Sequence, residues 1–347
     1  MRLSRREALE LFRSDDLMGI GMAADQTRKR LHPENVVTYQ IDRNINYTNF
    51  CTEYCSFCAF YRPLGANDGY ILDLDTIYQK VDETLALGGT GILLQGGLHP
   101  DLKINYYEDL LRSLKGRYPQ LHLHCFSAPE VLNIAEVSGL SLRDTIARLR
   151  AAGLDSIPGG GAEILDDEVR YRISRLKCTT EEWLEMHRVA HALGLRTTAT
   201  MMFGCGETFE HRVNHFERIR QLQAETGGFT AFIPWIFQPE HTSLGRSHPE
   251  EATAVDYLKT LAIARLYLDN IQNLQASWLT PGVKICQIAL RFGANDVGSI
   301  LIEENVVFAA GCTNRTNEGE LRRIIRDAGF IPIQRDTLYK TYFLKWN

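Results

Sequence analysis

From Val36 onward, short β-rich apolar runs alternate with longer stretches in which apolar positions return every three to four residues. The short runs predict strands over residues 36–47, 91–96, 121–126, 154–158, 197–203, 229–237, 274–279 and 297–302. The longer stretches predict helices over 74–87, 106–114, 142–152, 181–193, 212–225, 252–270 and 318–328. Strand–helix alternation implies βαβ units on a parallel sheet. About eight units in one chain predict an α/β fold with a single (β/α)8 TIM-type barrel. A doubly wound open sheet is the alternative.

Residues 1–35 stand apart from this alternation. Leu3, Leu9 and Leu11 sit among charges and residues 25–30 are strongly polar, which predicts an N-terminal helical cap. The barrel domain is then expected over residues 36–347, with no Ser/Pro/Gly-rich linker to divide it. Its C-terminal extension carries Ile331, Ile333, Leu338, Tyr339, Tyr342 and Trp346, too apolar for a free tail, and is expected to pack back on the barrel.

Composition changes this picture little. The 347 residues are 44% hydrophobic and 23% charged, an ordinary globular balance. A net charge of -5 gives no electrostatic case for nucleic acid. No apolar run approaches a membrane span. The start Met1-Arg-Leu-Ser-Arg-Arg-Glu7 lacks an apolar signal core. The expectation is a cytoplasmic protein without membrane or nucleic-acid partners, whose eight cysteines stay reduced.

Three of those cysteines change it a great deal. Cys51, Cys55 and Cys58 are spaced C-x3-C-x2-C directly after the first predicted strand. Three thiolates this close suit a [4Fe–4S] cluster held on one loop, with one iron left open. An open position on a metal can bind and activate a small molecule. The competing reading is zinc, or thiols that meet no metal, but the two-plus-two pairs that mark zinc are missing. Cys125, Cys178, Cys205, Cys286 and Cys312 are scattered singly, as buried cysteines that act as small hydrophobes are. In a barrel, chemistry collects at the C-terminal ends of the strands, where the cysteine loop stands.

Other strand ends carry further candidates. Gln95-Gly96-Gly97 ends the second strand, and glycines there allow backbone to approach a ligand. Pro158-Gly-Gly-Gly-Ala-Glu163 ends the fourth, where Glu163 can accept hydrogen bonds from a ribose diol or simply face solvent. Thr200-Met-Met-Phe-Gly-Cys-Gly-Glu-Thr208 ends the fifth; Met202 and its neighbours can cover an adenine, or the segment can be ordinary helix capping. His122 and His124 alternate on strand three and share a face. His124, nearer the strand end, is the better candidate for substrate contact or proton transfer, against the plainer role of a satisfied buried histidine. His99 follows the glycine pair and could line the mouth. Asp296, Glu303 and Glu304 bracket the eighth strand as alternative bases.

The cysteine spacing, with the aromatic Phe57 before the last cysteine, resembles the signature of radical S-adenosylmethionine (SAM) enzymes. The stretch Asn44–Arg62 resembles their menaquinone and deazaflavin branch. So do Gly91-Ile-Leu-Leu-Gln-Gly-Gly-Leu-His-Pro100, Leu123-His-Cys-Phe-Ser-Ala-Pro-Glu130 and residues 158–165 and 197–208. Within the branch, Phe229-Thr-Ala-Phe-Ile-Pro-Trp-Ile-Phe-Gln-Pro-Glu240, Gly298-Ser-Ile-Leu-Ile-Glu-Glu-Asn-Val-Val307 and Gly311-Cys-Thr-Asn-Arg315 look most like the members that cyclise dehypoxanthine futalosine.

The resemblance implies a [4Fe–4S] cluster and SAM as cofactors, with Gln95, Gly96 and Gly97 on the SAM amino group. It implies a 5′-deoxyadenosyl radical that takes hydrogen from C4′ of the substrate ribose, after which the carbon radical adds to the benzoate ring. It also implies an electron donor such as flavodoxin or ferredoxin. His124 or a strand-end carboxylate such as Asp296 would take the ring proton, and Arg291 or Arg315 would meet the benzoate carboxylate. The alternatives are an aminofutalosine synthase or a deazaflavin synthase half, both transferases, and, more remotely, an iron–sulfur electron carrier.

Overall fold

The structure, a computed structural model, describes residues 2–344. Its strands are β1 (Val36–Gln40), β2 (Asn44–Ile45), β3 (Gly91–Leu94), β4 (His122–Cys125), β5 (Ser156–Ile157), β6 (Arg196–Phe203), β7 (Phe229–Ile236), β8 (Asn273–Leu274), β9 (Asp296–Ser299), β10 (Ile331–Arg335) and β11 (Tyr342–Phe343). Seven of them, β2 to β8, form one parallel sheet in sequence order. Helices separate most successive strands, as the alternation predicts. Many of these helices start on a capping side chain: Asp73, Ser141, Thr179, Thr208, Thr253 and Asn317 each accept from a backbone N–H of the first turn.

The chain departs from the expected pattern at its two ends. Residues 36–47 predict one strand, but Ile41–Arg43 break it into β1 and β2. The break has a partner-based cause. β2 pairs with β3, whereas β1 pairs in parallel with both β9 and β10, so the two halves serve different neighbours. The result is a second sheet in the order β11-β10-β1-β9. A single parallel bridge, Gln275 to Asp296, joins the edges of the two sheets between β8 and β9. The C-terminal extension therefore packs back as strands, β10 beside β1 and β11 antiparallel to β10. Trp346 lies outside the described residues.

The N-terminal segment forms two helices, Arg5–Arg13 and Leu17–Leu31. Phe12 is buried and stacks on Phe209 of the outer helix Phe209–Thr226 at 4.9 Å. Arg28 is fully buried against Asp25 at 2.8 Å and lies over the Phe330 ring. Among the described residues no helix is long and apolar enough to cross a membrane.

Strand alternation sorts the side chains. Val37, Tyr39, Leu123, Cys125, Ala199 and Phe232 lie in the apolar core. Their neighbours Gln40, His124, Thr198, Thr200 and Trp235 face an interior cavity instead. A sheet whose inner face is polar near the strand ends is built around a ligand rather than around packing alone.

One buried ion pair fastens β9 to β10. Arg335 meets Asp296 through two hydrogen bonds, 2.6 Å and 3.0 Å, with both side chains almost wholly buried. Thr38 on β1 and the Gly298 amide also donate to Asp296. Removing one member leaves the other charge buried alone, so Asp296→Ala is expected to cost about 3–5 kcal/mol of stability. Thermal and urea unfolding would show it as a clearly lowered midpoint, and an unchanged midpoint would refute the role.

Candidate active site

The cysteine loop is held from three sides. Phe50 and Arg62 form a parallel bridge at its base, and the Cys51 amide donates to the Arg62 carbonyl at 3.0 Å. The Arg62 guanidinium in turn donates to the carbonyls of Ala59, Phe60 and Tyr61. The Ser56 amide and hydroxyl both donate to the Ile173 carbonyl, at 2.9 Å and 2.8 Å. The Thr52 amide donates to the Leu98 carbonyl at 3.1 Å, which ties the loop to the end of β3.

That last contact explains the glycine pair. A Cβ on Gly97 would stand 2.1 Å from the Phe50 carbonyl oxygen and 2.8 Å from Cβ of Cys51. Only glycine lets the two backbones lie together here. Gly96 is confined likewise by the Tyr47 ring, and its amide donates to the buried Glu130. The pair thus seats the loop, and Gln95 is the member of Gln95-Gly96-Gly97 that lines the cavity.

The thiols fit a polynuclear cluster better than a single ion. A zinc–sulfur bond of about 2.3 Å puts tetrahedral thiolates roughly 3.8 Å apart. Among the described residues, the one group of three Cys, His, Asp or Glu ligand atoms within 4.8 Å of one another is Asp166, Glu168 and His211, remote from the cysteines in sequence. The sulfurs of Cys51, Cys55 and Cys58 therefore do not all lie within 4.8 Å of one another. Burial pushes all three thiols up, and the Lys177 ammonium opposes this at each.

Lys177 links the loop to the ribose candidate. Its Nζ lies 3.0 Å from Glu163 Oε1 and 5.3 Å from the Phe57 ring centroid. Burial disfavours its charge, but Glu163 and Cys55 outweigh burial and hold the ammonium form. Glu163 Oε2 is buried without a hydrogen-bond partner, with Arg170 3.6 Å away. The Glu163 backbone sits at φ 38, in the left-handed region, and its carbonyl accepts from the Met202 amide. Such strain at a buried carboxylate is common at ligand sites.

Beyond Gln95 and Glu163 opens a cavity of about 330 Å³. His124, Thr198 and Thr200 line one side, Ile233, Trp235 and Trp278 another, and Asp42, Glu304, Arg335 and Tyr339 a third. His124 Nδ1 meets the Ser156 hydroxyl at 2.6 Å, and His122 Nε2 meets the same hydroxyl at 2.7 Å. Burial, His122 and Arg335 hold His124 down to about 3, so it is a neutral imidazole at physiological pH.

Four expectations change here. Asp296 does not line the cavity, because Arg335 occupies its carboxylate. The Met202 side chain is fully buried in the core, and only its backbone reaches Glu163. His99 does not line the cavity; its ring packs edge-on against Phe50 at 5.7 Å and its Nδ1 accepts from the Asp101 amide. Arg291 stacks on Phe330 and Arg315 on Phe308; neither lines the cavity, and the cation that does is Arg335. Cys205 and Gly204 belong to a cap, with their amides donating to Glu207, which pairs with Arg212 at 2.7 Å. The sequence reading missed Asp42, Lys177 and Arg335. They carry no motif, although the apolar character of the C-terminal extension already pointed to its burial.

A curved parallel sheet with three thiols on the loop after its first strand defines a radical SAM enzyme. The chain matches the radical SAM superfamily over residues 45–219 and the CofH/MqnC C-terminal region over residues 226–345. It is 50% identical to a cyclic dehypoxanthine futalosine synthase of Halalkalibacterium halodurans, covering 98% of this chain and 91% of that one. It is 46% identical to the Streptomyces coelicolor protein of the same name, covering 98% and 85%. A 5-amino-6-(D-ribitylamino)uracil–L-tyrosine 4-hydroxyphenyl transferase of Methanococcoides burtonii is 44% identical, covering 92% and 90%. The crystal structure of methylornithine synthase superposes with a TM-score of 0.76 at 19% identity, covering 96% and 94%. The chain belongs to the CofH/MqnC family of radical SAM enzymes.

Substituting Cys51, Cys55 or Cys58 by alanine is expected to abolish iron binding after anaerobic reconstitution, while Cys178→Ser or Cys312→Ser keeps it. Gly97→Ala is expected to lose iron as well, because the loop can no longer seat. Iron analysis with circular dichroism checks this, and full iron content in Gly97→Ala would contradict the packing argument.

Proposed function

We infer that this protein is a cyclic dehypoxanthine futalosine synthase, which closes dehypoxanthine futalosine into its cyclic form on the futalosine route to menaquinone. The observation that carries this reading is the near-full-length identity with two curated synthases. The site supports it. Cys51, Cys55 and Cys58 would hold a [4Fe–4S] cluster, and Gln95, Phe57 and Glu163 flank the path from that loop to the cavity. The cluster and SAM, when bound, supply a 5′-deoxyadenosyl radical able to take a hydrogen atom from the substrate ribose.

The residues then divide the remaining work. Glu163 keeps one oxygen free for the SAM ribose while Lys177 and Arg170 hold its charge. Trp235, Trp278 and Ile233 form an apolar wall on which an aromatic ring can lie. Arg335 lines the cavity as an already paired cation, its Nε and Nη2 on Asp296 and its Nη1 on Gln40 and the Asp336 carbonyl, and so frames the pocket end where a benzoate carboxylate would lie. His124, neutral and tied to Ser156, serves as a hydrogen-bonding group. The enclosing β strands, read as a closed eight-strand barrel through the Gln275–Asp296 bridge, keep water from the radical. A flavodoxin- or ferredoxin-type donor in a reducing cytoplasm completes the proposal.

The test is an anaerobic assay with reconstituted protein, dithionite, SAM and dehypoxanthine futalosine. The expected result is a cyclised product formed with free 5′-deoxyadenosine, resolved by chromatography and mass spectrometry. SAM cleavage without cyclisation, but with transfer onto an aromatic acceptor, would move the chain to the transferase relatives. Glu163→Gln is expected to weaken SAM binding by about 10–100-fold, the loss of a charged hydrogen bond. SAM titration of the reconstituted variant measures it, and unchanged affinity would remove Glu163 from the cofactor site.

A further inference from the structure

Asp42 stands where the first strand run breaks. It lies between β1 and β2, in the Ile41–Arg43 interruption, and lines the substrate cavity. Its Oδ1 is buried with no hydrogen-bond partner, and the nearby Ser299 hydroxyl donates to the Asp42 backbone carbonyl at 3.4 Å. A buried acceptor left open costs free energy unless something bound there fills it.

The other candidates are already occupied. Glu304 accepts from Asn44 at 3.0 Å and from the amides of Val306 and Val307 at 2.8 Å and 3.0 Å. Glu163 is paired with Lys177. Asp296 is spent on Arg335 and lies outside the cavity. His124 is a poor proton acceptor, since three surrounding influences hold it neutral. Among the cavity's described carboxylates, Asp42 alone has neither an ion pair nor a full set of donors.

We propose that Asp42 is the catalytic proton acceptor of the cyclisation. This rests on the cyclase reading above. When the ribose carbon radical adds to the benzoate ring, a C–C bond forms and the attacked ring carbon keeps its hydrogen. Asp42 takes that hydrogen as a proton. The C–H bonding pair stays in the ring and restores its aromatic sextet, leaving one electron in excess. That electron leaves to a one-electron acceptor of the oxidised iron–sulfur class.

The surroundings suit this work. Burial raises Asp42 to about 6, with Asp296 adding to the effect while the Ser299 hydroxyl and Arg335 oppose it. Glu163, Glu304, His124 and Tyr339 are the other titratable groups on the same cavity. A carboxylate of this affinity is ionised at neutral pH yet keeps a proton more readily than an exposed one. As pH falls through about 6 it protonates and can no longer accept.

The experiment uses the reconstituted full chain with SAM and dehypoxanthine futalosine. Wild type is assayed first; if it forms no cyclised product, the cyclase reading fails and Asp42 is not at issue. With wild type active, Asp42→Asn is expected to keep its iron, its KM and its SAM cleavage. The cyclised product per 5′-deoxyadenosine is expected to fall by about 100-fold, with partial recovery in Asp42→Glu. In wild type this ratio should drop as pH passes below about 6, and the variant should lose that dependence. Difference infrared spectra should show a protonated-carboxyl band over the same range that is missing from Asp42→Asn. An unchanged ratio in Asp42→Asn overturns the proposal. So does a raised KM with an unchanged ratio, which would make Asp42 a positioning residue. Should the variant lose its iron, the wild-type ratio decides: a pH-independent ratio overturns the proposal, and one that falls below about 6 upholds it.

Discussion

The seat of the cysteine loop on the end of β3 is the constraint on which the site depends. Two stretches of backbone, Phe50–Cys51 and Gly97, lie closer than any side chain at residue 97 would allow. Hydrogen bonds from Thr52 to Leu98, and from Gly97 to Thr48, lock that approach from both sides. A loop bearing three thiols has little intrinsic order, and ordering each residue costs about 1–2 kcal/mol of backbone entropy. Here that cost is met by backbone hydrogen bonds to a strand end, a helix end at Ile173 and the Arg62 guanidinium.

From that seat the rest of the site follows by proximity. Lys177 comes down from the end of the helix Asp167–Ser174 to lie beside both Phe57 and Glu163. It joins the cysteine loop, through the Phe57 ring, to the carboxylate that follows β5. Its positive charge is favoured, against burial, chiefly by the Glu163 carboxylate that faces it. The cavity beyond takes its walls from strands far apart in sequence, and its cation and tyrosine from the end of β10 and the residues after it, Arg335 and Tyr339.

The C-terminal extension is thus more than a packed tail. β10 pairs with β1, while β2 pairs with β3, and β10 delivers Arg335 to the cavity. Asp42 lies in the break between the two pairings.

The sequence alone determined the strand–helix order, the cysteine loop after the first strand, the inward face shared by His122 and His124, and the chemistry the thiols suit. These are local properties: periodicity, spacing and residue type act over a few neighbours. The tertiary structure decided what each strand-end group is left free to do. Asp296 and Met202 satisfy every local rule for a site residue, yet a distant arginine neutralises one and the core absorbs the other. Asp42 and Lys177 satisfy no local rule, yet the fold leaves an oxygen of one without a partner and sets the other against a buried carboxylate. Whether a charged group is spent or available depends on its partners, and those partners come from positions up to nearly three hundred residues away.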